Sequence, residues 1–400
     1  MHRHSRLRTL ALLLVVGILL APVSGLAGQT KNIILLIGDG MGPAQIGAAW
    51  LYSNRVLGKE LRMVEVMRAG RTGYMVNDAA DAIVTESAAA ATQMATGVRA
   101  RLKALSVAAD GKTPLKTILE IAKERGMATG LVTTSGITDA TPAAFATHVP
   151  SRNDEAAVAV QELQLGVDVL LGGRKRFFLP ESAQGERRDD RNLVEEARRA
   201  GYSVVSTAAE LRQAPGRKIL GLFNVDNMAY EIGRSATAEP SLAEMAAKTI
   251  EVLACNPNGF FAMIEGGRID HAAHRNDASG MIGEMLAFDQ AVGVALDFQR
   301  RSPDTLLIVT ADHETGGLAV IGSNEEGAES VENRQSTSFS TPYSSAFAVR
   351  PYLRVGWVGQ MHTATPLFVF GTGPGSEGLV GFHHNTDLFG VMKAALGPER

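Results

Sequence analysis

Runs of apolar residues alternate along the chain with segments whose apolar residues recur at helical spacing. Residues 32–37 are apolar almost throughout, which is typical of a strand buried on both faces of a sheet. Similar runs predict further strands at residues 128–134, 167–171, 202–205, 220–223, 260–264, 306–309 and 367–370. Helical spacing predicts helices from Thr113-Pro114 to Gly126 and at residues 192–200, 240–255, 281–299 and 386–395. This alternation predicts an α/β fold with a mostly parallel central sheet and helices on both faces.

One long segment interrupts the alternation. Residues 322–359 are rich in Ser, Glu, Asn and Thr and show little helical periodicity, with strand content predicted around residues 346–349 and 353–358. Loops of this length are often functional, so we interpret the segment as an excursion near the site. The 400 residues and their 45% hydrophobic content suffice for one large domain or two modest ones.

The N-terminus has the pattern of a secretory signal. Three arginines among the first eight residues precede an apolar run at residues 10–20, which is short for a membrane span. Small residues place a cleavage site near Ala27-Gly28. We therefore expect residues 1–27 to be removed and the mature protein to be periplasmic or secreted, with no stable membrane anchor. The alternative is an uncleaved anchor helix.

Charge and cysteine content exclude some classes of protein. The formal net charge is −3, so the chain has no nucleic-acid-binding signature. The single cysteine, Cys255, cannot form an intramolecular disulfide, so the core or bound metals must supply the stability of an exported protein. Because Cys255 follows Val252-Leu253-Ala254 on a helical pattern, it is predicted to be a buried packing residue.

Residues 84–92, VTESAAAAT, place Ser87 at the start of an alanine-rich run. Alanine has the highest helix propensity, so residues 88–91 are predicted to begin a helix with Ser87 near its N-terminus. Unpaired backbone N–H groups and the positive end of the helix dipole favour an anion such as phosphate there. The alternative is that Ser87 only caps the helix.

Polar clusters follow several predicted strands, and ligands bind at the carboxyl ends of the strands in open α/β sheets. Asp39 lies in the first cluster, GDGMG at residues 38–42, whose glycines let the backbone approach a metal or phosphate. An ordinary Gly-Asp turn has the same pattern. Asp312-His313 follows the strand at residues 306–309, and an adjacent pair at a strand end can place both side chains on one ion.

The cluster at residues 264–274, IEGGRIDHAAH, has the composition of a metal site. If Asp270 lies in a helix, Asp270 and His274 are four residues apart and face the same way. A carboxylate and an imidazole on one face suit zinc. Glu265 ends its strand, where its oxygens suit a neighbouring, harder metal. A solvated helix start with surface histidines is the alternative.

The cluster at residues 135–152 combines oxygen ligands with an arginine. Asp139 and Thr141 offer oxygen atoms of the kind that magnesium prefers, directly or through water. Arg152 is a candidate phosphate clamp, because a guanidinium binds phosphate oxygens in bidentate fashion. An isolated arginine in such a loop is more often surface charge.

Taken together, these motifs resemble those of the alkaline phosphatase family, in the family's order and over nearly the whole mature chain. The matching segments are residues 38–42 (GDGMG), 84–92 (VTESAAAAT), 139–152 (DATPAAFATHVPSR), 265–274 (EGGRIDHAAH), 310–313 (TADH) and 362–363 (HT). The resemblance implies that residues 28–400 form a single catalytic domain with the alkaline phosphatase fold. It also implies hydrolysis of small phosphate monoesters through a phosphoserine intermediate, with a broad substrate range and at alkaline pH.

The resemblance further implies a role for each residue of the motifs. Ser87 is the nucleophile that becomes phosphoserine, and Arg152 holds the non-bridging phosphate oxygens. The implied cofactors are two Zn²⁺ and one Mg²⁺. Their implied ligands are Asp270, His274 and His362 for one zinc; Asp39, Asp312, His313 and the Ser87 oxygen for the second; and Asp39, Thr141 and Glu265 for magnesium, with Asp139 supporting that site.

The chain departs from the family pattern at two positions. Glu86 stands where the family usually has Asp before the nucleophile, and its extra methylene would loosen or re-aim Arg152 if it orients that guanidinium. His271 stands where many bacterial members have Lys. A neutral imidazole holds phosphate less tightly than an ammonium, and it is itself able to bind a metal. We expect Glu86 and His271 to modulate the site.

Two other functions stay open at this point. One is phosphodiesterase, sulfatase or other ester hydrolase activity on the same metal core, although Ser87 lacks the Cys/Ser-x-Pro-x-Arg context expected of a sulfatase. The other is a non-catalytic protein that binds metal or phosphate, which the presence of Ser87, Arg152 and every expected ligand disfavours. A homodimer is an expectation carried over from the family.

Overall fold

The structure is a computed structural model that describes residues 30–323 and 353–398. Its strands are β1 (Asn32–Gly38), β2 (Arg71–Val76), β3 (Ala128–Gly136), β4 (Val169–Gly173), β5 (Ser203–Val205), β6 (Ile219–Leu222), β7 (Phe260–Gly266), β8 (Thr305–Ala311), β9 (Glu314–Thr315), β10 (Leu318–Ser323), β11 (Leu353–Trp357), β12 (His362–Thr363), β13 (Leu367–Thr372) and β14 (Gly381–His384).

The α-helices surround these strands. In chain order they are α1 (Pro43–Val56), α2 (Arg62–Ala69), α3 (Ser87–Thr96), α4 (Ile118–Glu124), α5 (Ala140–Ala146), α6 (Glu155–Leu165), α7 (Leu193–Arg199), α8 (Ala208–Gln213), α9 (Glu231–Arg234), α10 (Leu242–Leu253), α11 (Arg268–Ala273), α12 (Ala278–Arg301) and α13 (Asp387–Ala395). Short 3₁₀ helices lie at Lys175–Phe178, Glu181–Ala183 and Ser376–Leu379.

Ten strands form one sheet in the order β14-β2-β13-β8-β1-β7-β3-β4-β6-β5. Strand β13 runs antiparallel to both of its neighbours, β2 and β8. The other neighbouring strands of this sheet pair in parallel. The predicted fold class is therefore confirmed: the central sheet is mostly parallel, and helices cover both of its faces.

The centre of the sheet is buried on both faces. Every residue of β1, β3, β4, β7 and β8 is buried, which explains why these segments are apolar runs rather than alternating patterns. Full burial of one large aliphatic side chain stabilises the fold by about 1.5–3 kcal/mol. These strands are therefore a rigid base for side chains that follow their carboxyl ends.

Helix α3, which begins at Ser87, is buried at all ten of its residues. A helix that is apolar on all sides is typical of the interior of a large protein. It packs against α5, and the small alanine side chains allow this close approach. The helix ends at Gly97, whose φ of 73° is a left-handed conformation that glycine adopts without strain.

Two predictions outside the motifs are wrong: the start of one helix and the burial of Cys255. The helix predicted to open at Thr113-Pro114 begins at Ile118, with Thr117 and Glu120 in a capping box. Pro114 instead pairs with Val107 in an isolated β-bridge, a tertiary contact that overrides the preference of proline for the first turn of a helix.

Cys255 is exposed rather than buried. Helix α10 ends at Leu253, two residues before the cysteine, so the helical pattern that placed Cys255 in the core does not continue to it. Its Sγ donates to the backbone oxygen of Glu251.

The apolar pattern does not predict several elements, among them α1, α2, β2 and α5. Strand β2 is the clearest case, because β13 and β14 flank it and half of its residues are exposed. A strand of this kind lacks the continuous apolar run that identifies β1 or β8. The sequence therefore predicts the buried centre of the sheet better than its margin.

Three predicted segments lie wholly or partly outside the described residues. These are the leader at residues 1–27, strand content near residues 346–349, and most of the excursion at 322–359. The strand predicted around residues 353–358 is present as β11, which pairs antiparallel with β10. Within residues 30–323 and 353–398, no helix is both long enough and apolar enough to cross a membrane.

Candidate active site

The side chains of the polar motifs lie at the carboxyl ends of four neighbouring strands, β8, β1, β7 and β3. Asp39 follows β1, and Asp312 and His313 follow β8. Glu265 lies near the end of β7, and Asp139 comes shortly after β3. The motifs converge because parallel strands end at the same edge of a sheet.

Gly40 allows the first two of these strand ends to meet. Its φ is 72°, and a Cβ at this position would lie 2.9 Å from the Cα of Asp270, closer than a side chain tolerates. The Gly40 N–H donates to Asp312 Oδ1 over 3.1 Å. Gly40 thus lets the turn after β1 lie against Asp270 in α11 and Asp312 after β8.

Asp39, Asp312 and His313 form the first of two clusters that fit a cation. One ligand atom of each lies within 4.8 Å of the others, and all three residues are buried. His313 Nε2 is 3.2 Å from Asp312 Oδ2 and 3.5 Å from Asp39 Oδ1. Asp39 Oδ1 and Asp312 Oδ2 have no hydrogen-bond donor among the residues that the structure describes. Buried carboxylate oxygens of this kind are costly unless a cation binds them.

Thr315 fixes the orientation of the His313 ring. Its hydroxyl lies 2.5 Å from Asp270 Oδ1, to which it donates its only proton, and 3.3 Å from His313 Nδ1. The Thr315 hydroxyl therefore accepts a hydrogen bond from Nδ1–H, so Nε2 of the neutral ring carries a lone pair. Burial lowers the pKa of His313 to about 4, which keeps the ring neutral. The Nε2 lone pair faces the oxygens of Asp39 and Asp312, an arrangement that suits a metal ion.

Asp270, His274 and His362 form the second cluster. His274 Nε2 lies 3.2 Å from Asp270 Oδ2 and 3.0 Å from His362 Nε2. The Nδ1 atoms of the two rings donate to backbone oxygens, that of His274 to Gln360 over 2.5 Å and that of His362 to Thr85 over 3.1 Å. In the neutral rings both Nε2 atoms therefore carry lone pairs, which repel at this distance unless a cation lies near them.

The two clusters adjoin. The ligand atoms of Asp270, His313 and His362 also lie within 4.8 Å of one another, so His313 contacts both clusters. The rings of His313 and His362 stack with their centroids 3.7 Å apart. Imidazole nitrogens and carboxylate oxygens in this ratio are the donor set that zinc binds.

Burial and neighbouring carboxylates raise the pKa values of Asp39, Asp312 and Glu265. Burial and the neighbouring Asp312 carboxylate raise the pKa of Asp39 well above its ordinary value, and burial raises that of Asp312 to about 6. Burial also raises the pKa of Glu265 to about 8. A divalent cation stabilises the ionised forms, so it would remove the cost of placing these carboxylates together.

Glu265, Thr141 and Asp39 lie around a third position. The carboxylate of Glu265 accepts hydrogen bonds from the hydroxyls of Thr133 and Thr141. Its charge also contributes to the raised pKa of Asp39, which places the two carboxylates within electrostatic range. These are oxygen donors of the kind that magnesium binds.

Ser87 is the first residue of α3, and only 4% of it is exposed. Its Oγ lies 3.2 Å from His313 Nε2. The hydroxyl does not cap the helix, because Glu86 occupies the N-cap position and accepts hydrogen bonds from the N–H groups of Ala88 and Ala89. Two of the N–H groups that were expected to be unpaired at this helix start are therefore bound by Glu86 and are not available to a phosphate.

Glu86 also holds Arg152. Its Oε2 accepts a hydrogen bond from Arg152 over 2.5 Å, and its Oε1 accepts one from the backbone N–H of Lys103 over 2.8 Å. Although burial opposes ionisation, Arg152 and the two backbone donors at Lys103 and Ala89 hold the pKa of Glu86 below its ordinary value. One carboxylate thus connects the helix that carries Ser87 to the candidate phosphate clamp.

We expect Glu86→Asp to change inhibition by product phosphate and turnover together. The shorter side chain moves the carboxylate that both caps α3 and holds Arg152. A change in one charge-assisted hydrogen bond is worth about 1–2 kcal/mol at a partly exposed pair, or about 5–30-fold in the inhibition constant. Steady-state kinetics with added phosphate measure both quantities.

Glu120→Asp is the matched control, because Glu120 also lies at the start of a helix, where it accepts from the Thr117 N–H in the capping box of α4 and pairs with His148 at 3.0 Å. It should leave the phosphate inhibition constant within a factor of two. Unchanged inhibition and turnover in Glu86→Asp would refute the coupling between the cap and the clamp.

Asp139 lies between two arginines. Its Oδ1 accepts from Arg152 over 2.8 Å, and its Oδ2 pairs with Arg174 at 2.9 Å. Although burial opposes ionisation, these two guanidinium groups hold the pKa of Asp139 well below its ordinary value. Both oxygens of Asp139 are therefore engaged by cations of the protein itself, which fits a supporting position beside the third site better than direct metal ligation.

The sequence analysis missed Arg174, which contacts Asp139, Glu155 and Asn227. A signal was present, because Arg174 follows Gly172-Gly173 at the carboxyl end of β4, the same position in the fold as the other motifs. Its stem lies over Gly136, where a Cβ would come within 2.1 Å of it.

Glu314 is a second residue that the sequence analysis missed. It is 2% exposed, and its carboxylate accepts from Gln45 Nε2 over 2.7 Å and from the backbone N–H groups of Gly317 and Leu318 over 3.1 Å. It also accepts from the hydroxyl of Thr363. Because Thr363 follows His362, Glu314 connects the strand end that carries His313 to the segment that carries His362.

His271 is bound by an arginine. Arg268 lies 3.0 Å from His271 Nδ1, and a guanidinium has no acceptor, so the ring must accept at Nδ1. Burial lowers the pKa of His271, so the ring is neutral and carries its proton on Nε2. Nδ1 of His271 is thus occupied by Arg268, and the effect of His271 on metal and phosphate binding stays a prediction.

The α/β fold and the two cation-binding clusters beside a buried serine define the class of metal-dependent hydrolases. The chain belongs to the alkaline phosphatase family, since the model of that family, Alkaline phosphatase, matches residues 30–349. It is therefore an alkaline phosphatase in the enzymatic sense, a hydrolase of phosphoric monoesters.

Curated relatives match nearly the whole chain. The chain is 34% identical to alkaline phosphatase 4 of Bacillus subtilis, over 91% of this chain and 89% of the relative. It is 35% identical to the alkaline phosphatase of Escherichia coli, over 92% and 86%. It is 36% identical to the streptomycin-6-phosphate phosphatase of Streptomyces griseus, over 92% and 90%.

Solved structures have the same fold. The crystal structure of the alkaline phosphatase of Thermus thermophilus superposes with a TM-score of 0.83 at 30% identity, over 93% of this chain and 92% of that chain. A mutant of the alkaline phosphatase from the Antarctic bacterium TAB5 superposes with a TM-score of 0.77 at 28% identity, over 93% and 99%. That mutant has magnesium bound in its M3 site.

Proposed function

We propose that the protein hydrolyses phosphate monoesters through a covalent phosphate ester on Ser87. The observation that carries this proposal is the position of the Ser87 hydroxyl. It lies 3.2 Å from His313 Nε2, one atom of the first cation-binding cluster, and it takes no part in capping its helix. A buried hydroxyl held against metal ligands is the arrangement that activates a serine for nucleophilic attack.

We further propose that the metals are two Zn²⁺ and one Mg²⁺. The tautomers and orphaned carboxylate oxygens of the two clusters fit zinc, with Asp39, Asp312, His313 and the Ser87 oxygen on one ion and Asp270, His274 and His362 on the other. Asp39, Thr141 and Glu265 would hold magnesium, and Asp139 would support that site. When bound, the metals would acidify the Ser87 hydroxyl and the attacking water and offset the charge of the departing oxygen.

The protein's own residues supply the remaining steps. Arg152 holds the non-bridging oxygens of the phosphoryl group, and Glu86 and Asp139 fix the direction of its guanidinium. Ser87 Oγ forms a bond to phosphorus as the bond to the leaving alcohol breaks in line with it. Water then breaks the Ser87 Oγ–P bond and releases phosphate, which restores the hydroxyl.

We propose a broad range of small monoesters and an alkaline optimum. The relative from Streptomyces griseus is named streptomycin-6-phosphate phosphatase, and this name supports the proposal that the leaving group varies among such enzymes. We also propose that the protein is exported after removal of residues 1–27 and that it forms a homodimer. Size-exclusion chromatography with light scattering on residues 28–400 would test the dimer.

Acid quenching during turnover tests the covalent step. Residues 28–400 are loaded with zinc and magnesium, mixed with radiolabelled phosphate or aryl phosphate, and quenched at low pH. We expect label on the peptide that contains Ser87 and none on Ser87→Ala. Rapid hydrolysis without label on that peptide would overturn the serine route. Faster hydrolysis of a diester than of a monoester of the same chromophore would favour phosphodiesterase activity.

A further inference from the structure

Helix α11 and the turn after it present two sets of side chains. Asp270 and His274, four residues apart, meet in the second metal cluster. Arg268 and Arg275 are directed elsewhere, because both guanidinium groups lie over the ring of Tyr230. The distances from the guanidinium carbons to the ring centroid are 3.7 Å for Arg268 and 4.5 Å for Arg275. We call Arg268, Arg275, His271 and Tyr230 the Arg268 rim.

The cations of the Arg268 rim lack counter-ions. Within residues 30–323 and 353–398, neither Arg268 nor Arg275 has a carboxylate oxygen within 4 Å. Glu284 and Asp226 act on Arg268 only from longer range, and Asp226 is paired with Arg176 at 2.7 Å.

Arg268 is the more confined of the two arginines. Its Nε is buried and has no hydrogen-bond partner among the described residues. Burial lowers the pKa of Arg268, since a charged group loses hydration there. A desolvated guanidinium that faces another cation and no close anion is costly to the fold, and an anionic ligand would offset that cost.

The Arg268 rim borders the active site. His271, which accepts from Arg268, follows Asp270 directly and lies within electrostatic range of Asp139. On the other side, Tyr230 is three residues after Asn227, which accepts from Arg174 and so adjoins the same carboxylate. The rim therefore adjoins the second metal cluster through Asp270 and lies within electrostatic range of Asp139.

We propose that the Arg268 rim binds a second anionic group, a phosphate or carboxylate, on the leaving-group side of the substrate. This rests on the proposed phosphomonoesterase function and deepens it. The two guanidinium groups, which lie over the ring of Tyr230, supply the positive charge. Monoesters with an anionic leaving group are thereby preferred over neutral ones, and monoesters with a cationic leaving group are disfavoured.

A series on one scaffold tests this preference. The substrates are phenyl phosphate, 4-carboxyphenyl phosphate and 4-(trimethylammonio)phenyl phosphate, and the quantity compared is the ratio of kcat/KM for each charged substrate to that for phenyl phosphate. Each substrate's intrinsic reactivity is the same for wild type and variant, so it cancels when the kcat/KM ratio of the variant is divided by that of the wild type. In the exposed variant Arg275→Gln we expect the carboxylate ratio to fall about 3–10-fold and the ammonium ratio to rise. Arg268→Gln should have the larger effect. Added salt should reduce the wild-type preference.

Arg217→Gln is the matched control, because it removes the same charge from an exposed arginine. Arg217 comes just before the amino end of β6, whereas the site lies at the carboxyl ends of the strands. It should leave both ratios unchanged. If Arg268→Gln fails to fold, Arg275→Gln still decides the matter, since its side chain is exposed.

Binding separates the rim from the catalytic proposal. Calorimetry compares phenylphosphonate with 4-carboxyphenylphosphonate, which need no turnover. A preference for the carboxylate that falls in Arg275→Gln supports the rim even if the protein hydrolyses none of the esters, in which case only the proposed function fails. Equal ratios and equal binding preferences in wild type, Arg275→Gln and Arg268→Gln would overturn the rim whatever the activity.

Discussion

Ser87→Ala should lower kcat/KM for an aryl phosphate by about 10³-fold or more, the order of loss seen when a nucleophile is removed from an assembled site. The substitution removes only Oγ, which contacts His313. The helix should persist, because Glu86 and not Ser87 caps it and alanine has the highest helix propensity. The loss should therefore appear in activity and not in the midpoint of thermal unfolding.

Ser53→Ala is the control for loss of a buried hydroxyl. Ser53 lies in α1, is 3% exposed and donates to the backbone oxygen of Lys59. Its loss should leave kcat/KM within a factor of two. If Ser87→Ala keeps more than about a tenth of wild-type activity, water must attack phosphorus directly, and Ser87 is then a ligand or a packing residue instead of the nucleophile.

The grouping of these side chains was predictable because the carboxyl ends of buried parallel strands are a recognisable point of the sequence. Asp39, Asp312 and Glu265 each stand at the end of an apolar run, and buried parallel strands are the clearest pattern in this chain. The helical spacing of Asp270 and His274 was sufficient to bring that pair together. His362 is different, since only the resemblance to a family pointed to it.

What the sequence did not predict are the side chains that orient others across long separations. Arg174 meets Asp139 from a different strand end, and Thr315 reaches Asp270 across 45 positions. Such contacts depend on the order of strands in the sheet, which apolar periodicity does not encode. Glu86 shows a second limit. Glutamate is not a preferred N-cap residue, so the sequence offered Ser87 as the cap, whereas the contact of Glu86 with Arg152 was suggested by the family resemblance.

Removal of metal should lower activity by about a hundredfold or more. It should also make the free energy of unfolding decrease as pH rises. Without metal, burial holds the pKa of Glu265 at about 8 and that of Asp39 well above its ordinary value. Unfolding releases these carboxyls to pKa values near 4, so from pH 7 to about pH 8 the folded protein holds the Glu265 proton that the unfolded chain has lost. Stability therefore declines as pH rises toward 8, by at most about 1.4 kcal/mol per pH unit for Glu265, and the raised pKa of Asp39 acts in the same direction.

Other titrations do not reverse this sign. His313 and His362, whose pKa values burial lowers to about 4, are neutral in both folded and unfolded chains throughout the window. Asp139 and Asp270, whose pKa values are lowered, are ionised in both states. The pKa values of His274, His148, Glu284 and Glu162 are also raised, so these groups act in the same direction as the site carboxyls. The contribution of the cation site is therefore the difference in slope between the metal-free and the metal-loaded protein.

Thermal unfolding with chelator, and again after zinc and magnesium are restored, measures the effect. The metal-loaded protein should show a flatter pH dependence, because bound cations keep the carboxylates ionised in the folded state. Glu265→Gln removes one titrating group and should reduce the slope of the metal-free protein. Equal slopes with and without metal would mean that these carboxyls do not form the cation site. Because burial raises their pKa in the absence of a cation, the same groups that make the empty fold unstable at alkaline pH make metal binding strongest there.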